Sequence, residues 1–156
     1  MSVIDRDRGM ININKNFRQA REIHVSIGHF SDSGKTEDGE LALAELMATH
    51  EFGSAKMNIP SRPVYQSTYD DNILKVRKFQ VALWALVVAG KLSPYVAAAR
   101  LGAFYEGLLK LQFTKKQFAK LSPNYKVRPS GKKVTPSSKP LIDTGNLRSS
   151  IKWKIF

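Results

Sequence analysis

The 156-residue chain has no cysteine. That absence excludes a disulfide framework and thiolate metal sites, and it removes the cysteine nucleophile from the catalytic choices. It fits assembly in a reducing cytoplasm. Long hydrophobic runs are also scarce. The strongest, Val81 to Gly90 (VALWALVVAG), ends at Lys91 and is about half the roughly 20 residues that cross a bilayer. It reads as a buried helix, and no membrane partner is expected. The opening stretch MSVIDRDRGM mixes charges of both signs and lacks an apolar centre, so no secretory signal is expected. Acid, finally, is nearly missing from one region. From Gly107 to Phe156 there are twelve Lys and Arg against Asp143 alone, a net of +11 out of +12 for the chain.

What is present is ordinary for a folded protein. Apolar residues make up 42% and charged residues 24%, close to soluble averages, so wholesale disorder is not expected. The length suits one core. A local basic excess implies a local anionic partner or a channel; nucleic acid and an acidic surface on a neighbouring subunit both satisfy it.

Along the chain, residues 1–21 are polar and mixed in charge and read as an extended N-terminal arm, ordered by docking. Residues 22–30 (EIHVSIGHF) alternate, with Ile23, Val25 and Ile27 on one face, which predicts a half-buried strand. A helix is predicted from about Gly39 to His50, stopped by Gly53. Pro60 and Pro63 predict a non-helical connection from Ser54 to Tyr69. A second helix spans about Asp70 to Gly90, with Val76, Phe79, Leu83, Leu86 and Gly90 facing the core and Val81, Trp84 and Val88 widening that stripe. Ser93-Pro94 starts a third helix, capped by Ser93 and continuing to around Lys120. It carries small residues at Ala98, Ala99, Gly102, Ala103 and Gly107, which permit close backbone approach. Residues 121–140 contain four prolines and five Lys or Arg, so they form neither a helix nor a central strand. The chain closes with a turn, a short helical turn and alternation at Ile151, Trp153 and Ile155, read as a strand returning to a sheet. The expected fold is α+β: a small antiparallel sheet packed against two or three helices, as a single domain over 22–156 with a long basic Pro-rich loop at 121–140.

Three motifs invite an enzymatic reading, and each fails. Gly34-Lys35-Thr36 lies between a strand and a helix, as a phosphate-binding loop would. Gly28 and Gly34 are separated by five residues, whereas the phosphate cradle requires four, because the number of amides sets the size of the nest. Glu37, Asp38 and Glu40 also stand where phosphate would sit. Asp143-Thr144-Gly145 has the aspartic protease triplet, but that chemistry needs two carboxylates sharing a proton and only eleven residues follow Gly145. Asp143 or Thr144 is better read as the cap of a short helix beginning near Gly145. His24, His29 and His50 show no metal-ligand spacing; His50-Glu51 lacks the second histidine of a zinc-binding pair, and the helix dipole explains a histidine at that end. No catalytic residue, metal or cofactor is expected.

Two blocks remain. LAELMATHEFGSAKMNIPSRPVYQSTYDDN resembles the "helix, then E-F-G, then I-P-x-R-P" block of tailed-phage tail-completion and virion-morphogenesis proteins, including minor tail protein Z-like neck components. Lys139-Pro140-Leu141-Ile142-Asp143-Thr144-Gly145-Asn146-Leu147-Arg148-Ser149-Ser150-Ile151 is similar to that family's closing block, K-P-L-x-D-T-G-x-L-x-x-S-I. The order and spacing agree over roughly Leu41 to Phe156. The loop departs from the family, with Asn124-Tyr125-Lys126-Val127-Arg128 where a Thr and an Arg-Lys pair are common.

The resemblance implies a non-enzymatic structural protein of the virion, assembled in the host cytoplasm. It would form a ring, usually six-fold, that joins the head connector or collar to the tail tube or sheath around passing DNA. On that reading Glu51, Phe52, Gly53, Pro60, Arg62, Pro63, Leu141, Asp143, Thr144, Gly145 and Leu147 are expected at subunit or partner contacts. Lys126, Arg128, Lys132, Lys133 and Lys139 form a basic arm. The alternative is a standalone nucleic-acid-binding protein using the basic C-terminal third, with Tyr125, Trp153 and Phe156 for stacking. No DNA-reading motif accompanies that composition. Deleting residues 124–138 is expected to leave the domain folded while particles carry unjoined heads and tails. Normal joined virions from the deletion would remove the arm from the mechanism.

Overall fold

A computed structural model of the chain describes residues 9–36, 39–115, 118–120, 131, 133, 141 and 145–156. The order of elements is α1 (Met10–Glu22), β1 (Val25–Gly28), α2 (Leu43–Phe52), α3 (Val64–Val88), α4 (Pro94–Lys115), α5 (Asn146–Ser149) and β2 (Lys152–Ile155). The two strands pair, and His24 and Phe156 exchange backbone hydrogen bonds in both directions, each 2.9 Å, the signature of an antiparallel pair. The fold is α+β, a two-stranded antiparallel sheet packed against helices, as the alternation at 22–30 and 151–155 anticipates. No helix among the described residues is long and apolar enough to cross a membrane.

Four boundaries differ from the sequence reading, each because tertiary contact outweighs local preference. Residues 10–22 are a helix and not an extended arm. Asn12, Asn14 and Asn16 disfavour it locally, but Phe17 stacks on Trp84 with centroids 5.6 Å apart, and the Asn16 amide donates to the Val87 carbonyl at 3.1 Å. Residues 1–8 lie outside the described residues. The second predicted helix begins at Val64, inside the stretch that the prolines assign to a loop; Pro63 directly precedes the first helical residue, where proline is tolerated. α4 ends at Lys115 and does not reach Lys120. The α3 stripe is shifted: Leu83 and Val87 are buried, whereas Val81, Trp84, Leu86 and Val88 remain exposed. The predicted loop at 121–140 falls outside the described residues except at 131 and 133.

The described residues fall into two compact units, drawn from Met1–Ser26, Ile73–Tyr105 and Trp153–Phe156 in one case and from Ile27–Asn72 and Glu106–Lys152 in the other. In the first, Leu83, Val87 and Ala98 form the buried centre, and Phe79 meets Phe104 at 4.5 Å between ring centroids. The Ser93 hydroxyl accepts from the Val96 amide at 3.3 Å, the cap expected ahead of Pro94. Small residues in α4 serve this unit directly. Gly102 is buried, and a Cβ there would lie 2.9 Å from Cγ and Cδ2 of Trp153. The indole is seated on bare backbone.

In the second unit, Leu43, Met47, Val64, Leu109, Phe113, Leu147 and Ile151 make the core. A polar cluster lies within it: the Gln112 amide donates to Asp71 at 2.8 Å and to Ser67 at 3.2 Å. Among the described residues no buried side-chain nitrogen or oxygen lacks a partner.

Gly102→Ala is expected to lower stability by about 1–3 kcal/mol, the usual cost of overpacking a filled site, measured as a shift in the urea unfolding midpoint. An unchanged midpoint would show that Trp153 does not rest on this helix in solution.

Candidate interaction surface

The E-F-G to I-P-S-R-P block is built from the C-terminal end of α2. A helix leaves its last four carbonyls without helical partners. Here three of them are met by the following ten residues. Gly53 N–H donates to the Thr49 carbonyl at 2.8 Å, Arg62 N–H to the His50 carbonyl at 2.6 Å, and the Ser61 hydroxyl to the Glu51 carbonyl at 2.7 Å. The intervening chain turns back through a Ser54–Ile59 bridge. Gly53 is required twice over. Its φ of 75° is left-handed, and a Cβ would stand 2.8 Å from Ser61 N and 2.9 Å from the Ile59 carbonyl oxygen.

Glu51 then ties this loop to the start of α3, and Arg62 ties it to the chain beyond α4. The buried Glu51 carboxylate accepts from the Tyr65 and Gln66 amides, at 3.0 and 2.9 Å, so it caps the start of α3 across separations of 14 and 15 residues in sequence. A negative group at this position also meets the positive end of the helix dipole. Such a cap contributes roughly 1–2 kcal/mol. Arg62 is only 4% exposed. Its Nε donates to the Ala119 carbonyl at 2.9 Å and its Nη2 to the Lys120 carbonyl at 3.2 Å. Nη1 lies 3.5 Å from His50 Nδ1, a contact that requires a free lone pair on the ring.

His50 is therefore neutral, and not the cation at a helix end that its position in the sequence suggests. Burial, then the Arg62 charge, lowers its pKa from the ordinary 6.5 to about 4. His29, which no sequence pattern linked to Tyr65, is likewise lowered by burial, partly countered by its bond to the Leu147 carbonyl. Nε2 donates to that carbonyl at 2.6 Å, so Nδ1 accepts from the Tyr65 hydroxyl. Burial pushes Tyr65 up to about 12, with the Glu51 charge adding to the shift and the His29 bond opposing it. These groups sit in a closed hydrogen-bonded set. Among the described residues no group of three His, Cys, Asp or Glu could hold a metal ion.

The side chains named from the sequence thus divide. Glu51, Arg62 and Leu147 are buried and occupied within the chain. Gly53 serves the turn, Pro63 precedes α3, and Gly145 is the left-handed residue that starts α5, with φ 90° and no side-chain cap. Leu141 is half-buried at φ 67°. Pro60 and Lys133 are exposed. Phe52 is 81% exposed. Asp143, Thr144, Lys126, Arg128, Lys132 and Lys139 lie outside the described residues. So does the capping role assigned to Asp143 or Thr144. Gly34-Lys35-Thr36 is a surface turn in which Lys35 pairs with Ala42 and the Thr36 hydroxyl accepts from the Leu41 amide at 3.1 Å.

The outward face of α3 was not anticipated. At roughly 100° per residue, Leu74, Val81, Ala85 and Val88 line one side of the helix, opposite Phe79, Leu83 and Val87. Leu74 is 69% and Val81 68% exposed, and Val88 and Ala85 are exposed as well. Within this unit α3 meets α1 through Trp84 and Val87 and α4 through Phe79, and the stripe stays exposed beside those contacts.

Since His50 is neutral when folded and protonates near the ordinary 6.5 when unfolded, its contribution to stability is complete above pH 6.5 and is lost as pH falls towards 4. Urea unfolding is expected to show a loss of about 1–3 kcal/mol across that window. His50→Asn is expected to flatten the profile; an equally steep profile in the variant would assign the effect elsewhere.

No family model, no curated protein and no solved structure matches this chain, so the functional reading stands on the motifs and the surface.

Proposed function

We propose that the chain is a structural subunit of a tailed-phage virion, forming a ring in the neck that joins the head connector to the tail, and that it acts by contact alone. The observation that carries this reading is the apolar stripe Leu74, Val81, Ala85 and Val88 on the outside of α3. Covering a Leu or Val side chain contributes roughly 1.5–3 kcal/mol, and apolar side chains grouped on one exposed face, here Val81, Ala85 and Val88 with Leu74 beyond Arg77 and Lys78, suit an interaction site. The two motif blocks support the choice of assembly. The first forms a rigid latch of buried Glu51 and Arg62, which holds the loop after α2 in one conformation and so lowers the entropic cost of presenting it to a partner. A six-membered ring, contact with the head connector or collar and with the tail tube or sheath, and a lumen that passes DNA follow from the resemblance. So do residence in the virion and assembly in the host cytoplasm. The basic C-terminal third, facing an acidic neighbour or the DNA, fits the same placement.

Light scattering and negative-stain microscopy of the purified full chain, with and without its tail partners, test the reading. A ring-sized species is expected. Val81→Asp, at an exposed position, is expected to keep the circular dichroism spectrum and reduce the mass to that of a monomer. Rings that persist in the variant would clear α3 of the contact. A stable monomer that binds DNA with a steep salt dependence would replace the neck reading with the nucleic-acid one.

A further inference from the structure

We propose that the outward face of α1, with the adjoining side of α3, is a binding site for the phosphodiester backbone of duplex DNA. The site rests on the reading above for the DNA that passes, and it takes that contact away from the basic C-terminal third.

The fold sorts charge that the sequence mixes. Residues 1–106 carry thirteen Lys and Arg against twelve Asp and Glu, close to neutrality. Eight of those acids fall within Ile27–Asn72, in the second unit. The first unit is left with eleven Lys and Arg against three Asp and Glu, a net of +8, and its segment Ile73–Tyr105 has no acid at all. On α1 and α3, Lys15, Arg18, Arg21, Lys75, Arg77 and Lys78 are all exposed. Among the described residues none of the six has a hydrogen-bond or ion-pair partner. Cations without counter-charges repel one another, and a field of one sign attracts a polyanion. Lys and Arg clustered along a helix face are the electrostatic mark of a nucleic-acid site, whereas protein interfaces are depleted in lysine.

Geometry gives the face its shape. Lys15, Arg18 and Arg21 follow at three-residue intervals, which sets them on one side of α1 over about 9 Å of its axis. Duplex DNA carries about five phosphates in that length. The other side of α1 is braced against α3, where Phe17 stacks on Trp84 and the Asn16 amide donates to the Val87 carbonyl. Arg77 stands seven residues before Trp84, almost two full turns, and so comes up on the same side of α3. Cations on a braced helix lose little backbone freedom when they dock. Contacts to phosphate carry no sequence information, so binding without sequence preference is expected.

Fluorescence anisotropy of the purified full chain with a short labelled duplex of arbitrary sequence, read across a salt series, tests the site. Combining Lys15→Gln, Arg18→Gln and Arg21→Gln, all at exposed positions, is expected to keep the circular dichroism spectrum. It is expected to weaken binding about tenfold or more and to lower the slope of log affinity against log salt by about 3. Arg18→Lys with Arg21→Lys, which keeps the charge, is expected to retain most of the binding. Lys126→Gln, Arg128→Gln and Lys132→Gln together remove the same charge from the C-terminal third and are expected to cost less. An unchanged slope in the α1 variant, or a larger loss in the C-terminal one, overturns the site. Polyglutamate that displaces the duplex at equal charge would give the face to an acidic protein instead. A wild type that forms rings with its tail partners yet leaves the duplex unbound overturns the site while the ring stands. One that binds through α1 as a monomer keeps the site and removes the ring.

Discussion

The bond from the Glu51 carboxylate to the first amides of α3 is the constraint on which the rest of the second unit depends. A 25-residue helix cannot begin in water-poor surroundings with its leading N–H groups unpaired. Here the group that satisfies them comes from the end of the preceding helix. That single carboxylate sets where α3 starts and forces the connection between α2 and α3 to fold back over the α2 carbonyls. The residues left to make the turn include Gly53 at positive φ, and Pro60 and Pro63 lie outside the helices. Arg62 completes the latch, carrying its charge into a buried site where carbonyl oxygens, with their partial negative charge, take the place of a carboxylate partner. His50 stays neutral so that the same site holds one positive charge rather than two.

A loop fixed this firmly has consequences for its surface. Glu51 and Arg62 face inward and stabilise the latch, while Phe52, between Glu51 and Gly53, is turned out. The motif therefore places residues of opposite character side by side, the buried ones holding the loop rigid and Phe52 left exposed. The outward stripe of α3 adds apolar surface in the other unit. Neither feature offers bond-making chemistry: the polar groups of the latch and of the His29–Tyr65 pair are engaged with one another or with backbone. Apolar surface on a rigid frame is the feature on which the proposed assembly role rests.

α4 shows how the same residue pattern can serve two ends. Small side chains at four-residue spacing permit close approach by any backbone or ring, in the same subunit or the next. Gly102 and Ala98 are used within the chain, Gly102 as the seat of Trp153. Ala103 and Gly107 remain open.

By itself the sequence determined the class of fold and most of its elements. Alternation at Val25–Ile27 and Ile151–Ile155 marks both strands because a strand exposes its two faces by turns; Ser93-Pro94 and Gly53 mark helix ends because capping and positive φ are local needs. Only the tertiary structure decided the start of α3, the helicity of residues 10–22 and the fates of the motif residues. Glu51 and Tyr65 are fourteen residues apart, and Asn16 and Val87 are separated by seventy-one. Such partners leave no periodic trace. Which side of an apolar helix is buried is equally invisible when both sides are apolar: Val81 and Leu83 are alike in composition, and only the position of the neighbouring helices makes one core and the other surface.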